Sequence, residues 1–122
     1  MNTAIGFKLL DRKRHGKLVS QAGDMEWKIG KWYVYPGEIK LCNAGFHCWP
    51  SSNQDEYQTY DGIRNNSVIA MVEYLTDGSV KNSFSDKLVS KAMRVLMVRE
   101  CKPVIGWNAS RAVRDTIEEF YL

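Results

Sequence analysis

No stretch of this chain approaches the roughly 18 consecutive apolar residues that a membrane-spanning helix requires. The N-terminal Ala4-Ile5-Gly6-Phe7 meets charge at Lys8, which leaves it too short for the apolar centre of a secretory leader. These absences predict a chain that stays where it is made, in a cytoplasm, with no membrane partner. Cysteine is scarce and odd in number: Cys42, Cys48 and Cys101 are a poor basis for a disulfide framework. Structural zinc sites present ligand pairs two to four residues apart and a second pair elsewhere. Cys42 and Cys48 enclose five residues, and no second pair follows. His47 and Cys48, being adjacent, face opposite sides of any strand. No metal is predicted. Gly30, Gly37 and Gly45 match neither the phosphate-loop nor the dinucleotide spacing, so no cofactor is predicted either. Internal repeats and low-complexity linkers are lacking, and a net charge of +3 is too mild to dictate a polyanionic partner.

What is present is an ordinary soluble composition, 44% hydrophobic and 25% charged, over 122 residues. That length predicts a single domain, 1–122, with a core that needs no covalent staple. Thr3 to Leu10 reads as a first strand with Ile5, Phe7 and Leu9 on one face, and Gly6 marks a close backbone approach. Asp11 to Gly16 is a charged turn, and Lys17 to Ala22 is a short returning strand before a Gly23-Asp24 break. Glu26 to Tyr35 is the richest β-forming stretch; Trp27 and Ile29 point one way, with a turn or bulge at Gly30. Pro36-Gly37 reverses the chain, Ile39 to Cys42 reads as a strand, Asn43-Ala44-Gly45 as a tight reversal, and Phe46 to Trp49 as a strand.

Ser67 to Thr76 is a near-continuous apolar run and the candidate central strand. Asp77-Gly78 is a hairpin signal, with Ser79 to Ser83 pairing back. Lys87 to Arg99 fits two periods, and β-branched residues with a nearby Pro103 favour a strand from about Ala92. At about 109–121 an amphipathic helix carries Val113, Ile117, Phe120 and Tyr121 as its apolar stripe, capped by Asn108 or Ser110. Arg111, Arg114, Asp115, Glu118 and Glu119 form its wet side. Its arginines lie early and its glutamates late, against the helix dipole, so docking on the sheet must stabilise it. Ser52 as an N-cap and the spacing of Tyr57, Tyr60 and Ile63 fit one short helix near residues 52–60. The predicted fold is α+β: a mostly antiparallel twisted sheet (β-rich body 3–100) with a C-terminal helix.

The densest group of reactive residues is Cys42 to Trp49. Cys42 and His47 flank a turn, but a competent thiolate also needs a cleft, an oxyanion donor and an orienting partner, and the sequence fixes none of them. Asp55-Glu56 and Glu118-Glu119 read as solvated faces rather than acid–base pairs. No catalytic residue is assigned. Four tryptophans and six tyrosines are many for this length. Those left outside the core would make an amphipathic contact patch with neighbouring lysines. The candidate binding residues are Trp27, Trp32, Tyr35, His47, Trp49, Tyr57 and Tyr60. Arg12, Lys13, Arg14 and Lys17, at a predicted hairpin tip, are candidates for nucleic-acid contact.

The run Gly30-Lys31-Trp32-Tyr33, followed by Gly37-Glu38-Ile39-Lys40-Leu41-Cys42-Asn43-Ala44-Gly45-Phe46-His47, resembles a family of small uncharacterised domains of phage and bacterial genomes. Strands like Val68 to Glu73 and Lys87 to Lys91 extend the resemblance over about residues 4–100. It implies a phage or prophage origin and a β-rich domain, and carries no catalytic residue. The Gly45-Phe46-His47 strand also resembles the layout of small ADP-ribosyltransferase-like proteins that bind NAD. In the first strand, however, Lys8 stands where those carry His or Arg. The leading expectation is a non-enzymatic accessory protein that binds a host or phage protein. An NAD-binding transferase, with His47 or Tyr57 in its cleft, and a nucleic-acid binder are the alternatives.

Overall fold

In a computed structural model, the described residues are 2–20, 25–41, 43–50, 66–81, 87–101 and 109–121. Among the described residues, nine strands and one α-helix occur in chain order, β1 (Thr3–Arg12), β2 (Leu18–Ser20), β3 (Glu26–Trp27), β4 (Tyr33–Val34), β5 (Phe46–Pro50), β6 (Ser67–Leu75), β7 (Val80–Lys81), β8 (Leu88–Ser90), β9 (Ala92–Glu100) and α1 (Ala109–Glu119), with a 3-10 turn at Arg14–Gly16. Every pairing is antiparallel. The sheet order is β4-β9-β6-β1-β5-β8-β7, with β2 bridging β1 and β3. The protein is therefore α+β, with a mostly antiparallel twisted sheet and a C-terminal helix.

The order conceals a curl. β8 and β9 are separated by Lys91 alone. A path from β1 through β6 to β9, across Lys91 to β8, and on to β5 leads back to β1. Ser90 fixes the corner. Its single hydroxyl proton has two carbonyl acceptors in reach, Leu75 at 2.7 Å and Ala92 at 3.0 Å. Inside the curl lies the larger core cluster, in which Leu10, Val68, Ala70, Val72, Phe46, Cys48, Leu88, Met93 and Val95 meet Leu18 and Trp27. On the outer face Phe7, Leu9, Ile69 and Cys101 pack with Val113 and Ile117 of α1. β1 is thus buried on both faces. Ile69 and its neighbours in β6 are apolar on both faces for the same reason, as expected of a central strand.

Helix α1 docks as its stripe requires. Val113 and Ile117 are fully buried, and Phe120 meets Phe7 with ring centroids 5.6 Å apart. Tyr121 departs from the expected stripe. It lies beyond the last helical turn, is 60% exposed, and only its ring edge reaches Phe7.

Four strand-level expectations are corrected. Ser79 to Ser83 was expected to pair back on β6, but β7 pairs with β8, because β1 and β9 already occupy both edges of β6. The stretch Ile39 to Cys42 holds a single bridge, Lys40 to Ala44, closed by two backbone hydrogen bonds, and no strand; Cys42 lies outside the described residues. Asp11 is strand and buried rather than turn, since β1 runs on to Arg12 against both β6 and β2. Ile29 does not share the face of Trp27: β3 ends at Trp27, and Ile29 lies inside a turn closed by the Lys31 N–H to the Lys28 carbonyl at 3.2 Å, with Gly30 at φ +86°. The short helix expected near 52–60 lies outside the described residues.

Candidate functional site

Two regions gather the residues the sequence singles out. The first surrounds the middle of β5. The β1–β5 ladder runs through Gly6↔Pro50 and Phe7↔Trp49, and there it stops. One step further along β1, the amine of Lys8 donates to the His47 carbonyl at 2.7 Å, taking an acceptor a continued ladder would have used. The same amine lies 5.7 Å from the centroid of the Trp27 ring. Lys8 therefore closes the opening where β1 and β5 splay, roofed by a tryptophan that β3 brings in.

Lysine in such a place loses hydration, and a charge taken from water favours its neutral form. Burial lowers the Lys8 amine from 10.5 to about 8; the neighbouring Cys48 thiol pulls it up and Lys87 pushes it down. Cys48, fully buried, is pushed by burial from 9.0 to about 12, with Lys8 opposing. That thiol is inert, because the thiolate is the reactive form. Burial lowers His47 from 6.5 to about 4, with Lys87 and Lys8 adding in the same direction. Its imidazole is neutral at physiological pH.

Strand alternation separates these groups as expected. Cys48 belongs to the inner cluster with Phe46, whereas Trp49 packs against the outer one. His47 shares the Trp49 side by the period of two. The Lys87 ammonium sits 5.4 Å from the Trp49 ring centroid. Among the described residues no cluster of three or more His, Cys, Asp or Glu could hold a metal ion. The arrangement is a cation-lined, apolar-backed seam that disfavours further positive charge.

Acid should expose this seam's electrostatics. His47 takes its proton near 6.5 when unfolded and near 4 when folded, so the unfolded chain binds more protons between those values. Stability present above pH 6.5 is then lost as pH falls toward 4, by about 1–2 kcal/mol after allowance for partial exposure. Urea titrations at pH 7 and pH 5 should show this loss. His47→Gln should remove most of it, and an unchanged loss in that variant would refute the assignment.

The second region is the surface around β4. Trp32 is half-buried, its ring 5.1 Å from the Arg94 guanidinium carbon. Arg94 is held by Glu73 at 2.6 Å, and Thr3 donates to the same carboxylate at 2.6 Å. The Thr3 hydroxyl and the Arg94 bonds hold Glu73 below its ordinary value. Tyr33 accepts the Lys28 amide at 2.9 Å, and its ring packs edge-on against Trp27. Tyr35 meets Phe46 at 6.1 Å. Around these rings Ile29 is 55% and Val34 65% exposed. Beside them is an open groove lined by Pro36, Glu38, Ile39, Val80 and Lys91.

Of the predicted binding residues, Trp32 and Tyr35 both flank β4 but on opposite sides of it, Trp32 against Arg94 and Tyr35 against Phe46 of the inner cluster, while His47 and Trp49 lie in the β5 seam. Trp27 is 2% exposed, with its indole N–H donated to the Ser20 hydroxyl at 2.8 Å. It is a core residue and leaves the contact set. Tyr57 and Tyr60 lie outside the described residues. Arg12, Lys13, Arg14 and Lys17 are all exposed, at the β1–β2 hairpin as predicted. Sequence reasoning noted Lys8 as the residue standing where the transferase-like layout carries His or Arg, and gave it no role. An isolated lysine in an apolar run (Phe7-Lys8-Leu9-Leu10) was the available signal, and only the stopped ladder gives it a role.

The fold and its two regions define a small, mostly antiparallel α+β protein. A family model described as "Domain of unknown function (DUF7666)" matches residues 6–105, and the chain belongs to that family. No match was found among curated proteins or among solved structures. No helix among the described residues is long and apolar enough to cross a membrane.

Proposed function

We propose that the protein is a non-enzymatic accessory protein, of phage or prophage origin, that binds a host or phage protein through the surface around β4. The observation that carries this reading is the exposure of Ile29 and Val34, with the half-buried Trp32 on the same side of β4 as Val34. Interface hot spots are apolar and aromatic anchors ringed by polar groups, with arginine and tryptophan enriched. Here Arg94 stacks on Trp32 and is itself fixed by Glu73, so the anchor is preorganised. Lys28 and Lys31 supply an exposed cationic rim. β4 is also a two-residue strand at the end of the sheet order, a length that limits indiscriminate edge pairing.

The test compares the tagged wild-type chain with Ile29→Asp and Val34→Asp in capture from a bacterial host lysate, read by mass spectrometry. Both positions are exposed, so the variants should fold. A partner protein retained by the wild type should be lost about tenfold or more from each variant, a ΔΔG of about 1.4 kcal/mol. An identical captured set in all three proteins would overturn the reading. A parallel thermal-shift titration with NAD separates the transferase alternative: a rise in Tm with NAD that survives both variants would favour that alternative.

A further inference from the structure

A cavity of about 300 Å³ lies at the end of the sheet where β1 leaves, β6 enters and β9 ends. Its lining includes Arg12, Lys13 and Arg14 together with Asn66 and Glu100. Three cations and one carboxylate thus share one concave space, a net excess of positive charge that an anion would relieve. The walls are fixed by backbone bonds. The Arg12 amide donates to the Asn66 carbonyl at 2.8 Å, and the Asn66 side-chain amide returns a bond to the Arg12 carbonyl at 3.2 Å. The Cys101 amide, just after β9, donates to the Ser67 carbonyl at 3.2 Å. The loop bearing the cations is closed by Lys13 N–H to the Lys17 carbonyl at 2.7 Å and by Gly16 N–H to the Lys13 carbonyl at 3.1 Å. His15 holds φ +67°, an uncommon angle for a residue with a Cβ.

We propose that this cavity binds the phosphate group of a phosphate ester, with Arg12 and Arg14 gripping the phosphate oxygens and Glu100 accepting a hydrogen bond from the ester's organic part. Guanidinium forks match phosphate oxygens in pairs, and Lys13 adds a compact third charge. Glu100 decides against a bare anion as the ligand. A carboxylate in an anion site repels unless the ligand also brings a donor, and sugar hydroxyls or base amines are such donors. The volume is at the low end of small-ligand pockets, sufficient for one phosphate and part of a nucleoside. This ligand class has two sources, a free nucleotide or the phosphorylated end of a nucleic acid. Either is distinct from non-specific contact with a nucleic-acid backbone at an exposed loop.

The test is calorimetric titration of the full chain with AMP, with inorganic phosphate, and with one short oligonucleotide made with and without a 5′-phosphate. AMP should bind more tightly than inorganic phosphate. Arg12→Gln and Arg14→Gln should each weaken AMP about tenfold or more, consistent with loss of a charge-assisted bond. Glu100→Gln should weaken AMP while leaving inorganic phosphate unchanged or tighter. If the 5′-phosphorylated oligonucleotide binds more tightly than AMP, the source is a nucleic-acid end; if it does not, the source is a nucleotide. Equal binding of the oligonucleotide with and without its 5′-phosphate would overturn the proposal, as would undiminished AMP binding in both arginine variants. Absence of any binding up to about 10 mM, a few kcal/mol of affinity at most, would also overturn it.

Discussion

Unfolding free energy is expected to climb by about 1 kcal/mol between pH 7 and pH 9, and to climb by about 3 kcal/mol in Cys48→Ala as titration continues past 10.5. The unfolded chain holds the Lys8 proton up to 10.5, and the folded protein holds it only to about 8. Between those values the unfolded state binds more protons, so raising the pH favours the fold. The destabilisation is fully present below pH 8 and is relieved as pH rises to 10.5. Cys48 acts with the opposite sign. Its thiol ionises at 9.0 when unfolded and near 12 when folded, so above pH 9 the unfolded state gains by losing a proton. Tyr74, also raised by burial, adds to that fall.

The wild-type curve should therefore rise to about pH 9, level off while the two slopes cancel, and fall beyond 10.5. Cys48→Ala removes the thiol's share of the falling branch and leaves that of Tyr74, at a pH-independent cost of a small buried cavity. Lys8→Met keeps the stem that packs beneath Trp27 and removes the rising branch, leaving a curve that only falls above pH 9. Urea unfolding at steps of pH measures all three. A wild-type curve flat from pH 7 to 9, or a Lys8→Met curve that still rises, would show that the amine is not held in the splayed β1–β5 seam.

Much of the fold was legible because the strongest signals were local. Period two over Thr3 to Leu10 and the apolar run from Ser67 gave β1 and β6, and the β-branched residues after Ala92 resolved an ambiguous segment into β9. The helix stripe was legible at Val113, Ile117 and Phe120 because those positions meet the sheet, the first two fully buried. What local signals do not carry is which edge is already taken. Asp77-Gly78 does form a turn, but β6 has no free edge for Val80 and Lys81. The candidate sites were half legible on the same grounds. Aromatic richness marked Trp32 and Tyr35, but burial of Trp27 depends on β3 crossing over the inner face, a long-range fact. The basic run at Arg12 to Lys17 was visible as charge. The concavity that makes it a candidate site depends on Asn66 and Glu100, which are distant in sequence.

The largest loss of stability is expected from alanine at Gly45 or Gly6, and the two losses have different origins. Gly45 has φ +109°, and a Cβ there would lie 2.6 Å from the Val89 methyl and 2.9 Å from an Ile39 methyl. Backbone strain of about 1–2 kcal/mol and overpacking of about 1–3 kcal/mol then act together. Gly6 has no unusual angle. Its added Cβ would meet the Trp49 carbonyl oxygen at 2.7 Å and the Cys48 sulfur at 2.9 Å. The carbonyl belongs to the paired strand β5, so relief requires β1 and β5 to move apart at the start of the seam that Lys8 closes. Each substitution should lower unfolding free energy by about 3 kcal/mol or more, a large part of the stability of a domain this size. Gly16→Ala and Gly78→Ala are the controls. Both residues have positive φ but no heavy atom within 4 Å of the added carbon, so only the strain of about 1 kcal/mol should remain. Thermal and urea unfolding of the four variants separates crowding from strain. If Gly6→Ala proved as mild as Gly78→Ala, the close approach of β1 to β5, and with it the enclosure of Lys8 and Cys48, would be refuted.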